Sequence, residues 1–157
     1  MRRLTISALL MAVLPLCAAA QGTSDRGQLS PRIYPAFGVH YGTPLRLSAV
    51  VGIIVDLDAN SRDGLLVVAE PGREGFGYSV GYLRMVGRYG SGYSVRATVL
   101  RTSDRPWEAN ADATYAGAEL HWMIILGAGG RAGLFRRVGG TAGPHDTLGT
   151  LGISLGI

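Results

Sequence analysis

Arg96, Glu119 and His121 are the residues of this chain whose types and spacing suggest chemistry in common. Around them polar and apolar residues alternate. Ser94, Arg96 and Thr98 oppose Tyr93, Val95, Ala97 and Val99, and Gly117, Glu119 and His121 oppose Ala116, Ala118, Leu120, Trp122 and Ile124. A period of two places the side chains of a strand on opposite faces, so each polar series shares one face. An antiparallel register pairing Arg101 with Thr114 sets Arg96 directly opposite Glu119. A carboxylate beside an imidazole would suit a general base or a gate. The competing assignment is a salt bridge that fills a narrow interior, with His121 satisfied nearby. A buried charge is costly unless paired, so an inward arginine demands a partner in any case, and the structural plug is the expectation.

Other chemical signals are weak. His40, His121 and His145 are isolated and share no repeated spacing, which argues against a metal site. Gly127-Ala128-Gly129-Gly130 has the look of a phosphate loop, yet no Lys-Ser/Thr follows and no helix begins there, so a hairpin turn is expected. Cys17 is the only cysteine and lies before the expected cleavage site; Leu16 before it makes a poor lipoprotein signal. No cofactor, metal or catalytic residue is expected.

The elements that must position these residues are strands. Leu45, Leu47, Ala49, Val51, Ile53, Val55 and Leu57 form one apolar parity, against Arg46, Ser48, Val50, Gly52, Ile54 and Asp56. This stretch exceeds the roughly 9–11 residues that a tilted strand needs to cross a bilayer. Eight strands are expected, at about Arg32–Tyr41, Leu45–Leu57, Leu65–Glu70, Phe76–Tyr89, Gly92–Thr102, Thr114–Leu126, Gly130–Val138 and Thr147–Ile157. The third, apolar on both faces, and the glycine-rich seventh are the least regular. Hairpin registers that keep the apolar faces in phase pair Tyr41 with Leu45, Tyr89 with Gly92 across Gly90-Ser91, and Val138 with Thr147.

At the N-terminus, Arg2 and Arg3, the apolar run Leu4–Leu16 and Ala18-Ala19-Ala20 have the form of an export signal over residues 1–20. Residues 21–31 are a polar lead-in, and 32–157 form one barrel domain. All 15 basic residues are arginine, against 11 acidic residues, and they are scattered rather than clustered. A nucleic-acid partner is therefore not expected.

The apolar faces are bulky, whereas the opposite faces carry Gly, Ser and Thr with few charges. A soluble barrel surface would carry many Lys, Glu and Asp; small polar residues suit a narrow lumen. Trp122, Tyr41, Tyr82 and Tyr93 fall toward strand ends, as interfacial aromatics do. The pattern over 32–157 resembles the small outer-membrane β-barrel proteins of Gram-negative bacteria. That resemblance implies an all-β, antiparallel, up-and-down transmembrane barrel in the cell outer membrane, monomeric and surrounded by outer-membrane lipids. Leu151, Ile153, Leu155 and Ile157 are similar to the C-terminal signal that the barrel-assembly machinery recognises, although that family usually ends in Phe or Trp. Some barrels of this kind modify lipid A, which would require a His-x-Ser pair. His121-Trp122-Met123, His40-Tyr41-Gly42 and His145-Asp146-Thr147 do not supply one. The expected role is non-enzymatic, in envelope integrity or limited small-solute passage. The alternatives are an outer-membrane lipid-modifying enzyme and a soluble periplasmic ligand-binding barrel.

Overall fold

The computed structural model describes residues 32–57, 62–87, 90–125 and 127–156. The export signal, the lead-in, Tyr89, Leu126 and Ile157 lie outside the described residues. Eight strands follow in order: β1 (Ile33–Gly42), β2 (Arg46–Asp56), β3 (Asp63–Gly72), β4 (Gly75–Met85), β5 (Gly92–Thr102), β6 (Ala113–Ile125), β7 (Ala128–Gly140) and β8 (Thr147–Gly156). Each pairs antiparallel with its neighbour, and β1 pairs with β8 to close the barrel. The described residues thus form an all-β, up-and-down, eight-stranded closed barrel, as the alternation implies.

The two irregular strands are longer than their sequence suggests. β3 extends through Pro71, whose missing N–H leaves a gap in the β2–β3 pairing between Val51↔Ala69 and Ser48↔Gly72. β7 extends through glycines at both ends. Three hairpin registers differ from expectation. Tyr41 pairs with Leu47, not Leu45, because the connection is Thr43-Pro44-Leu45 and Leu45 turns into the barrel mouth. Tyr82 pairs with Val95, not Val99, because β4 stops at Met85, and the amides of Val86 and Gly87 both donate to the Ser91 carbonyl. Arg136, not Val138, pairs with Thr147, since the Arg137 amide donates to the Asp146 carbonyl and tightens the loop base. Each partner moves by two or four residues, so every side chain keeps its face. The β5–β6 register is as expected: Arg101↔Thr114 and Arg96↔Glu119.

The two faces of the wall have opposite character. Outward residues are large, apolar and exposed, including Phe37, Val80, Val95, Leu134 (66%), Leu151 (67%), Ile153 and Leu155. Tyr41, Phe76 and Tyr78 lie outward toward the loop end, and Tyr82, Tyr93 and Trp122 toward the end holding the termini of the described chain. Tyr93 and Arg101, near the two ends of β5, lie about 26 Å apart along the strand at ~3.3 Å per residue. A tilt of about 40° reduces this to ~20 Å along the axis, close to the apolar height of a membrane barrel.

The interior is layered. Toward the loop end, Leu100, Ala113, Tyr115, Phe135 and Leu148 pack together. Toward the terminal end, Ala36, Val50, Leu66 and Val68 do the same, with Ile54 against them. Between the two layers lies a polar belt. The loop 103–112 leaves β5 and crosses the mouth to the opposite wall, where the Trp107 amide donates to the Pro44 carbonyl at 3.1 Å and its ring lies 6.1 Å from that of Tyr41. Asn110 holds this loop to the next one: its Nδ2 donates to the His145 carbonyl at 3.0 Å, and its Oδ1 accepts from the His145 amide at 3.2 Å. The loop end is thereby roofed. Beside it, Arg137 Nε donates to Asp146 at 2.7 Å, and this bond holds the Asp146 carboxyl below the usual carboxylate range.

Candidate functional site

The polar belt draws a residue from every strand. On one side, Arg131 of β7 donates through Nη1 to both oxygens of Glu70 on β3, at 2.6 and 2.8 Å. Ser48 of β2 donates to the same carboxylate at 2.5 Å, and His40 of β1 approaches it through Nδ1 at 3.2 Å. On the other side, Glu119 of β6 accepts from Thr98 of β5 at 3.2 Å and from Thr150 of β8 at 3.5 Å. Thr98 in turn meets Ser79 of β4 at 2.8 Å. Arg131 joins the two sides, with Nη1 4.0 Å from Glu119. The His40 and His121 rings stand 5.0 Å apart, tilted by 46°. Two arginines balance two glutamates, the condition under which buried charge is tolerated.

All three residues singled out from sequence belong to this belt and are buried: Arg96, Glu119 and His121. Their contacts differ from expectation. Arg96 and Glu119 are register partners, yet no direct ion pair joins them, because Arg96 Nε donates to Ser94 on its own strand at 2.9 Å. Glu119 instead faces His121 Nε2 at 3.6 Å and the Arg131 guanidinium. The strongest ion pair, Glu70–Arg131, involves neither of the expected partners. Sequence reading missed Glu70, Arg131 and His40. Face parity held the signal: Glu70 shares its face with Leu66 and Val68, and Arg131 with Gly133 and Phe135. Both lie on the two strands whose alternation is weakest.

Glycine makes room for this belt. Glu119 sits across from Gly133, where an added Cβ would lie 2.7 Å from Glu119 Cγ and from Thr150 Oγ1. Arg96 sits across from Gly81, whose added Cβ would meet Arg96 Cγ at 2.9 Å, and Arg131 across from Gly152. In the apolar layers Phe135 faces Gly117, and Val68 faces Gly52, in the same way. An eight-stranded barrel has space for one layer of side chains, so each large residue needs a small neighbour.

The hydroxyl and imidazole groups of the belt are arranged around its carboxylates. Ser48 and His40 both contact Glu70 rather than forming the chain of nucleophile, base and orienting acid that acyl transfer requires. Ser154 does lie across from His40, but its Oγ and His40 Nε2 each lack a hydrogen-bond partner, so no such bond joins them. Both sides of the belt are buried in the lumen, with His40 at 0% and Arg131 at 2% exposure. Among the described residues no group of His, Cys, Asp or Glu has the geometry to hold a metal ion. Of the four residues expected from sequence to form the assembly signal, Leu151, Ile153 and Leu155 point outward on β8, and Ile153 and Leu155 pair with Tyr41 and Val39 where the barrel closes. Comparison with known proteins found no match among protein-family models, curated proteins or solved structures.

Proposed function

We propose that this protein is a sealed transmembrane β-barrel of the outer-membrane type, acting as a non-enzymatic component of the cell envelope rather than as a pore. The observation that carries this reading is the inversion of the wall: bulky apolar side chains face outward around the barrel, while Arg, Glu and His face inward. Water would oppose that arrangement, whereas a hydrocarbon surround favours it, and closing the barrel leaves no strand edge unpaired in the bilayer. Apolar layers above and below the charged belt, with a loop roofing one mouth, favour envelope integrity over solute passage. Export through residues 1–20, handling by the barrel-assembly machinery and a monomeric state in outer-membrane lipid accompany this reading.

The test is expression of the full chain in a Gram-negative host, followed by envelope fractionation and electrophoresis with and without boiling. The expected result is an outer-membrane protein that resists SDS until boiled and then shifts in mobility. Recovery in the soluble periplasmic fraction without detergent would replace this reading with a soluble barrel. A stable ion-conducting step in planar bilayers would overturn the sealed lumen.

A further inference from the structure

We propose that the outer surface of β5–β7 at the loop end binds a lipid carrying a phosphate monoester, with the phosphate held between Arg101 and Arg136 above Thr114. This rests on the membrane-spanning reading. The outward positions of β4 to β8 carry three charges, all arginine: Arg84, Arg101 and Arg136. Arg84, at the terminal end, has a carboxylate beside it, with Nε 3.8 Å from Asp63. Arg101 and Arg136 form no ion pair among the described residues, and Asp146, on the adjoining loop, is engaged by Arg137 at 2.7 Å. Arg136 feels the Asp146 carboxylate only at longer range, so two guanidiniums without a close carboxylate sit where the apolar band ends, the depth at which arginine reaches for headgroups.

The surface between them fits that occupant. Arg101 is level with Thr114, and Arg136 with Ala116, across the β5–β6 and β6–β7 pairings. Two strand spacings and a two-residue offset put their Cα atoms about 12 Å apart, so both long side chains can close on one group over β6. On β6 only Thr114 and Ala116 lie between them, flanked by the exposed Val99 and Val138, and the Thr114 hydroxyl adds a donor. Below them Ala118, paired with Ala97, keeps the surface low along the course an acyl chain would take. Arginine matches phosphate oxygens through paired N–H groups. Two such cations balance the roughly −1.5 to −2 charge of a monoester better than the single charge of a phosphodiester.

The experiment uses the folded protein in neutral detergent, with native mass spectrometry reading retained phosphatidic acid (a monoester) against phosphatidylglycerol (a diester). Heat-modifiability is recorded first; its absence would refute the membrane-spanning reading, whereas lipid retention tests the site alone. Wild type is expected to retain phosphatidic acid about tenfold more tightly than phosphatidylglycerol, one factor of ten in affinity. R101Q/R136Q should lower phosphatidic acid to the phosphatidylglycerol level, while R46Q, an equal charge loss elsewhere at the loop end, should leave the preference intact. If the double variant fails to fold, R101Q and R136Q are read singly, and each is expected to lose part of the preference. Equal retention of the two lipids by wild type, or an undiminished preference in the arginine variants, would overturn the proposal.

Discussion

Replacing Glu70 by Gln should destabilise the barrel far more than replacing Glu70 and Arg131 together by Gln and Met. In the native protein Arg131 Nη1 lies 2.6 and 2.8 Å from the two oxygens of Glu70, and Arg131 is 2% exposed. Removing the carboxylate charge strands a guanidinium in the lumen, and breaking a buried pair in this way costs about 3–5 kcal/mol. Glu119, at 4.0 Å from Nη1, can recover a fraction of that, which places the expected loss near the lower end. Removing both partners takes away the unpaired charge with the attraction, and such exchanges are often neutral. The coupling energy of the cycle should therefore be about 2 kcal/mol or more, well above the ~0.5 kcal/mol of additive behaviour at independent sites. The same cycle on Arg96 and Glu119 should give a clearly smaller value, since Arg96 bonds Ser94 and not that carboxylate. Urea unfolding in lipid vesicles, followed by tryptophan fluorescence, measures both cycles. A Glu70–Arg131 coupling at zero, or no larger than that of Arg96–Glu119, would refute a dry, ion-paired belt and indicate a hydrated lumen, where ion pairs contribute only about 0–1 kcal/mol.

Gly117→Ala should destabilise the fold by at least ~1–3 kcal/mol in the same assay, the usual cost of overpacking, because its Cβ would lie 2.1 Å from the Leu134 carbonyl oxygen and 2.7 Å from Phe135 Cα. Gly149→Ala, with nothing within 4 Å of its added Cβ, should leave stability unchanged. Asn110→Ala removes the paired hydrogen bonds to His145, and should loosen both long loops and speed proteolytic cleavage within 103–112 while the strands stay protected; unaltered cleavage would deny that Asn110 ties the roof together.

The eight strands, their order and their faces were legible because period-two alternation survives even where turn positions are misread. A register slip of two or four residues, as at Tyr41–Leu47 and Tyr82–Val95, leaves inside and outside unchanged. The slips themselves come from turn chemistry beyond the reach of alternation: Leu45 looks like the first member of an apolar face but turns inward against Gly72 and Gly75. The candidate site was half legible. Adjacent strands with clear alternation placed Arg96 opposite Glu119. The dominant ion pair instead links β3 to β7 across the lumen, and neither strand register nor local spacing encodes a contact between such distant walls. The glycine pattern offered a further clue. Gly81, Gly133 and Gly152 mark where Arg96, Glu119 and Arg131 need space, so in this chain glycine content follows the contents of the lumen.

The inverted wall is tested most directly by its contact with lipid. Single cysteines at Val80, Val95, Leu134 and Ile153, and at Ala142 in a loop, would carry nitroxide labels in a Cys17→Ala background in lipid vesicles. Collision with dissolved oxygen against a water-soluble nickel chelate then reads the surround of each site. The four strand positions are expected to favour oxygen strongly and Ala142 to favour nickel. Nickel access at the strand positions equal to that at Ala142 would contradict a membrane-facing exterior.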